Sequence, residues 1–325
     1  MMEPFAYAEG TTIEEVIAAL GGTCRPLAGG TDLLPLMKKG LARPKRLVNL
    51  KTLPGLDTLR RGEDGWRIGA LVTLARLARD EEMGQELAVL AGAALESASP
   101  QLRHRATLGG NLLQRPRCWY FREPLVPCWL KGGDRCFALE GDNRRHAVFG
   151  DGPCYMVHPS DPAVALLALE ASVLALTPKG LWTIPVESFY REPRQDAWSE
   201  SVLDPRTLIL AVTIPAPAPG ARGAYAKVAE RAVWDFSLAS AAVQLALVGD
   251  TVVAARVALG GVAPAPWRAR EAEVALLGQG LTAATIDHAA DAATAGAEPL
   301  SGNAYKVDLV RGVVAEALRR VGRGG

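Results

Sequence analysis

Residues 25–40 read RPLAGGTDLLPLMKKG, a short apolar run, a glycine pair and an amphipathic run with no spacer between them. A chain with this order must pass from strand to helix within a few residues. Glycine permits that, because without a Cβ it adopts positive φ and lets backbone N–H groups come close to another atom. Residues 105–122 repeat the grammar as RATLGGNLLQRPRCWYFR: a glycine pair, a polar residue, two leucines. Taken singly, either loop reads as a tight turn before a capped helix. Together they predict two loops closing on one extended ligand, whose phosphates lie against backbone N–H groups near a helix start. The first is not a P-loop, since no Gly-Lys-Ser/Thr follows, and it lacks the Gly-x-Gly-x-x-Gly of the Rossmann fingerprint.

The surrounding patterns place the first loop in an α/β unit. In TTIEEVIAALGG, Thr12 and Glu15 form a capping box, Ile13, Val16, Ile17 and Leu20 recur at helical spacing, and Gly21 or Gly22 ends the helix. A strand at 25–28, a helix capped by Thr31 or Asp32, and a strand near 46–50 follow. WRIGALVTLARLARDE reads as strand then helix, and 87–98 as a second helix. Later, Asp161 is expected to cap a helix with Pro162 at its first position, and strands are expected at 173–177, 182–185 and 208–214. PAPAPGARG (215–223) reads as a linker. Beyond it come strands near 224–229, 239–248 and 251–259, then helical patterns near 268–277, 282–295 and 304–321. At 325 residues, two or three domains are expected.

Periodicity fails between residues 115 and 160, a stretch rich in Pro, Gly, aromatics and arginine. It carries Cys118, Cys128, Cys136 and Cys154, spaced C-x9-C-x7-C-x17-C, while Cys24 stands apart as a small buried hydrophobe. So long an irregular segment needs something to organise it. Clustered cysteines in a reducing compartment favour metal or iron-sulfur ligation over disulfides. With no C-x-x-C pair, a zinc ribbon is disfavoured, and four separately delivered thiolates suit a cluster. Trp119, Tyr120, Phe121 and Trp129 would shield it, and Arg115, Arg117, Arg122, Lys131 and Arg135 would offset its charge or face a docking partner. His146 is expected to form a structural hydrogen bond and to ligate no metal. The glycine loops and this segment read as separate elements.

Thirty-six basic and thirty-five acidic side chains give a net charge of +1, which offers no field for nucleic acid or a membrane surface. The longest apolar stretch, 163–176, is broken by Glu170, and MMEPFAYAEG has neither a basic leader nor an apolar core. A cytoplasmic location is expected, or a periplasmic one if a signal-bearing partner exports the folded complex.

In chain order, PLAGGTDLL, ATLGGNLLQ, HPSD, LILAVTIP and AYAKVAERAVWDFSLASAAV resemble the FAD-binding medium subunit of the xanthine dehydrogenase (molybdenum hydroxylase) family, over essentially the whole length. The resemblance implies an α+β fold. A two-lobed FAD-binding domain of the vanillyl-alcohol-oxidase (PCMH) type would span 1–215, with lobes at about 1–55 and 56–215 and the cysteine-rich insertion at about 115–160. A C-terminal domain of the CO dehydrogenase flavoprotein type, a small antiparallel sheet with helices, would span 216–325. By the same resemblance, Leu27, Ala28, Gly29, Gly30, Thr31, Asp32, Leu33 and Leu34 wrap the pyrophosphate and ribityl chain of FAD. Thr107, Gly109, Gly110 and Asn111 form the second phosphate loop. Asp161 binds the adenosine side, Ile209 packs near the flavin, and Lys227 lies at the polar edge of the isoalloxazine.

The insertion is similar to that of the subset with an extra 4Fe-4S cluster, 4-hydroxybenzoyl-CoA reductase and the periplasmic aldehyde oxidoreductases, and closer to the latter at RCWYF and NRRHA. Cys118, Cys128, Cys136 and Cys154 would then be its ligands. The resemblance implies an electron-transfer subunit of a heterotrimer. Molybdenum cofactor chemistry would take place on a large subunit, a small subunit would carry two 2Fe-2S clusters, and an external donor or acceptor such as a ferredoxin would complete the relay. Two other classes are compatible with the sequence: a self-contained FAD oxidase or dehydrogenase, and a zinc-stabilised binding module without flavin. No Ser-His-Asp or paired-carboxylate pattern points to bond-making chemistry on this chain.

Overall fold

A computed structural model describes residues 2–193 and 199–323. Three sheets succeed one another along the chain. The first is parallel, with β1 (Ala6–Glu9) and β2 (Cys24–Leu27) on either side of β3 (Arg46–Asn49). The second is antiparallel and five-stranded, in the order β4 (Leu59–Gly62), β5 (Gly65–Gly69), β8 (Leu208–Pro215), β6 (Ser172–Thr177), β7 (Gly180–Pro185). The third is also antiparallel: β12 (Trp267–Arg268), β11 (Thr251–Gly260), β10 (Ala239–Val248), β9 (Ala221–Val228). The class is α+β, as the sequence implied, and no helix among the described residues is long and apolar enough to cross a membrane.

Local chemistry explains most elements. Thr12 caps the helix Ile13–Ala19 by accepting from the Glu15 N–H, and Val16 from that helix packs with Leu20, Cys24 and Val48. Several expectations need correction. Asp161 does not cap its helix: Ser160 does, its hydroxyl accepting from the Ala163 N–H, so Asp161 is the first helical residue and its carboxylate is free for other partners. The linker shrinks to residues 216–220, because β8 runs through Pro215 and β9 starts at Ala221. β1 and β4 carry no clear apolar alternation.

The long segment at 115–160 is irregular, with one helical turn at Trp119–Arg122 and a 3-10 turn at Trp129–Lys131. It is nonetheless anchored at both ends. Val148 and Phe149 are buried in the core of the third sheet. The fully buried Lys306, on the helix Tyr305–Gly322, donates to the His146 carbonyl at 2.9 Å, and Asn303 donates to the same carbonyl and to that of Ala147. At the other end, Leu36 of the helix Leu33–Lys38 packs with Phe121, Cys128 and Cys154. The insertion thus spans the molecule between the parallel sheet and the C-terminal sheet.

Candidate functional site

The first glycine loop leaves β2 and enters the helix Leu33–Lys38 along a cavity of about 610 Å³, within the range of small-molecule and cofactor sites. Leu27, Ala28, Gly29, Gly30, Thr31, Asp32 and Leu33 line it, as do Thr107, Gly109, Gly110 and Ile209. Gly30 takes φ +74°, the left-handed region where a side chain is strained. Gly29 answers a different need: a Cβ there would meet the Arg105 carbonyl oxygen at 2.0 Å. Its close approach is therefore to the lead-in of the second loop, which it lets come into backbone contact. Among the described residues, the N–H groups of Gly29, Gly30, Thr31 and Asp32 donate to no protein acceptor. Orphan backbone donors beside a cavity are costly unless a ligand or water accepts from them. This is the feature that fits an anionic diphosphate.

The second loop is built otherwise. Thr107 caps the short helix Leu108–Leu112, in which Gly109 and Gly110 lie. Its N–H groups are occupied: Gly109 donates to Ala70 O at 2.9 Å, Gly110 to the Thr107 hydroxyl at 3.3 Å, and Asn111 to Thr107 O at 2.8 Å. The Asn111 side-chain oxygen accepts from the Ser160 hydroxyl at 2.5 Å. What this loop presents to the cavity is Thr107, Gly109, Gly110 and Leu113, with its own N–H donors already spent.

Asp161 and Lys227 form one ion pair, 2.8 Å long, with side chains only 5% and 4% exposed. The carboxylate also accepts from the hydroxyls of Tyr225 (2.7 Å), Ser237 (3.2 Å) and Ser97 (3.3 Å). Lys227 spends its remaining donors on the carbonyls of Glu96 and Asp235. Asp161 lines a second, smaller cavity of about 80 Å³ with Thr31, Asn111, Arg117, Trp234 and Phe236. Ile209 lies in the first cavity beside Thr207 and Leu208, in the company of Arg25 and Arg43. Thr31 lines both. Asp161 and Lys227 are thus in direct contact, while Ile209 lies apart from both in the first cavity.

The expected cap at Asp32 is corrected. The residue occupies the N-cap position of its helix without capping it. Its carboxylate accepts from the Arg115 N–H (2.7 Å) and pairs with Arg117 (2.7 Å) and Arg122 (2.8 Å), all three from the insertion. Burial, the largest influence on Arg117, brings its guanidinium down to about 10. These partners lie 83 to 90 residues away along the chain, and no local pattern announces them.

Cys128 and Cys154 are buried with Leu36, Phe121, Leu130 and Met156, Cys118 packs against that cluster, and Cys136 meets it through a thiol hydrogen bond with Cys154. Every sulfur faces backbone N–H groups: Tyr120 and Phe121 for Cys118, Leu130 and Lys131 for Cys128, Ala138, Leu139 and Tyr155 for Cys136, Met156 for Cys154. The Cys154 thiol donates to Cys136, which draws Cys136 down to about 6 and pushes Cys154 up. Burial pushes Cys118 up to about 12. Among the described residues no three His, Cys, Asp or Glu side chains close around a single ion. N–H donors aimed at sulfur stabilise the thiolate form and are one lever on an iron-sulfur cluster's potential, and here each cysteine of the insertion has at least one. His146 Nε2 lies 3.2 Å from Cys118 Sγ, and burial, its largest influence, brings the imidazole down to about 4.

Comparison with known proteins covers the whole chain. Residues 3–217 match the family described as FAD binding domain in molybdopterin dehydrogenase, and 224–321 match the CO dehydrogenase flavoprotein C-terminal domain. The aldehyde oxidoreductase FAD-binding subunit PaoB of Escherichia coli K12 is 41% identical over 98% of each chain. The carbon monoxide dehydrogenase medium chain of Hydrogenophaga pseudoflava is 29% identical over 97% of this chain and 96% of its own. Among solved structures, reconstituted CO dehydrogenase from Oligotropha carboxidovorans superposes with a TM-score of 0.80 at 26% identity, covering all of both chains.

Proposed function

The chain belongs to the FAD-binding subunits of molybdopterin dehydrogenases, and from that premise we propose how it holds its cofactors and where it stands in electron transfer. It is a subunit of an oxidoreductase whose substrate chemistry takes place elsewhere. FAD lies along the first glycine loop, its diphosphate on the N–H groups of Gly29, Gly30, Thr31 and Asp32. The observation that carries this is the four unpartnered donors beside a cavity of about 610 Å³. Keeping Lys227 at the isoalloxazine places Asp161 there too, because the two are paired. The adenosine end then falls in the first cavity toward Arg25 and Arg43, which moves Ile209, in the same cavity, away from the flavin contact that the resemblance implies.

Cys118, Cys128, Cys136 and Cys154 hold a 4Fe-4S cluster. Bound FAD supplies two-electron and one-electron exchange, and a cluster supplies one-electron steps. The chain's own work is to hold and to shield. The first loop binds phosphate, the Asp161–Lys227 pair brings a buried cation with its charge neutralised, and N–H donors favour thiolate over thiol at the cysteines. A molybdopterin-binding large subunit and a 2Fe-2S small subunit are the partners, with a ferredoxin-like protein as the external donor or acceptor.

The test is flavin, iron, acid-labile sulfide and molybdenum analysis of the native complex. One FAD with about four irons and four sulfides attributable to this chain is expected. Gly30→Val, which puts a branched side chain at a left-handed backbone position, should abolish FAD retention. Full flavin content in that variant overturns the loop assignment, and zinc in place of iron overturns the cluster.

A further inference from the structure

Asp32 stands where the glycine loop meets the insertion, and its bonding runs away from its own helix. A carboxylate offers about four acceptor positions. Here they serve Arg115 N–H, Arg117 and Arg122, and none goes to the loop's own N–H groups. Arg122 also donates to the carbonyls of Pro116 (2.7 Å) and Arg115 (2.9 Å), so the turn at 115–122 closes around the carboxylate. Cys118 lies inside that turn. Both Asp32 and Arg122 are only 13% exposed, so the pair is shielded from the water and salt that weaken surface ion pairs.

We propose that Asp32 is the joint through which the flavin loop and the cysteine-rich insertion hold each other in shape, so that FAD binding and cluster binding are reciprocally linked. The inference rests on the cofactor assignment above. With Cys118 bound to the cluster, the turn at 115–122 is fixed and presents its N–H group and two guanidiniums to Asp32. Asp32 then fixes the backbone whose N–H groups face the diphosphate. Without the cluster, the turn loosens and the donors lose their common aim. By linkage, whatever factor the cluster adds to FAD affinity, FAD adds to cluster affinity.

The experiment is a thermodynamic cycle on the full-length chain, with FAD affinity read by flavin fluorescence. It compares the wild type, Cys136→Ser as the cluster-free form, Asp32→Asn, and the double variant. Cluster loss should weaken FAD binding about tenfold, a typical coupling, and Asp32→Asn should weaken it similarly. The double variant should be no worse than Asp32→Asn alone, because both changes break the same connection. FAD-free wild-type protein should also lose iron to a chelator faster than the FAD-bound form. Equal FAD affinity with and without the cluster overturns the proposal, as do additive effects in the double variant. Should Asp32→Asn fail to fold, Arg117→Gln takes its place in the cycle, with the same outcomes. A wild-type chain that binds FAD and no iron overturns the cofactor assignment and the coupling with it, whereas one that binds both with additive effects overturns the coupling alone.

Discussion

The two glycine loops share a sequence grammar and do opposite work. In the first, the pair is spent on conformation and contact: Gly30 takes a left-handed φ, Gly29 lets the Arg105 carbonyl approach, and four N–H groups are left without protein acceptors. In the second, both glycines lie inside a short helix whose N–H groups are already bonded to Ala70 and Thr107. One loop is a set of open donors, and the other is the wall facing it. The difference comes from the neighbours. Thr107 caps its own helix, whereas Asp32 gives its carboxylate to the insertion and caps nothing.

The comparison breaks most sharply at the glycines. Gly29→Ala drives a Cβ to 2.0 Å from a backbone oxygen that cannot yield without moving the second loop. Complete loss of FAD retention is expected, with a lowered melting temperature. Gly110→Ala meets only the Thr107 hydroxyl, at 3.0 Å, on an exposed helical residue, and should retain FAD and shift stability by less than about 1 kcal/mol. Equal flavin loss in the two variants would erase the distinction.

Asp32→Ala comes next. It leaves two largely buried guanidiniums without their counter-charge, a loss of about 3–5 kcal/mol by denaturant unfolding for a buried pair. Asn111→Ala, its positional counterpart in the second loop, gives up one hydrogen bond to Ser160 and should cost about 1 kcal/mol.

Acid should act on the second loop through His158. This imidazole is buried against the Tyr190 ring, whose hydroxyl donates to Leu112 O at the end of the loop helix. Burial brings His158 down from 6.5 to about 3. Between those values the unfolded chain binds a proton that the folded chain refuses, so this contribution to stability is complete above pH 6.5 and lost as pH falls toward 3. At pH 4.5 the loss from this residue is about 2–3 kcal/mol. His158→Phe should flatten that part of the acid limb in unfolding experiments between pH 7 and 4.5. An unchanged acid limb would mean that His158 is protonated in the fold.

A comparably small effect is expected at Thr107. Thr107→Val removes the cap on the second loop helix for about 1 kcal/mol, with most of the FAD retained. A loss of flavin as large as that from Gly30→Val would show that the second loop binds phosphate directly.

What the sequence determined is what depends on neighbours a few residues apart. The first glycine pair marks its turn because the left-handed backbone found at Gly30 favours glycine. The capping box at Thr12 and Glu15 starts its helix, and four cysteines in an aperiodic stretch mark a segment that needs an organising group. Tertiary structure decided which of these groups meet. Asp32 reads locally as a helix cap, yet it binds arginines 83 and more residues away, because a buried carboxylate gains more from fixed cations than from its own first turn. Asp161 reads as a cap too, and becomes the partner of Lys227 once Ser160 takes the capping role. Which backbone donors stay free was likewise settled by the fold, since a loop N–H is satisfied or orphaned only by the carbonyls that packing brings to it.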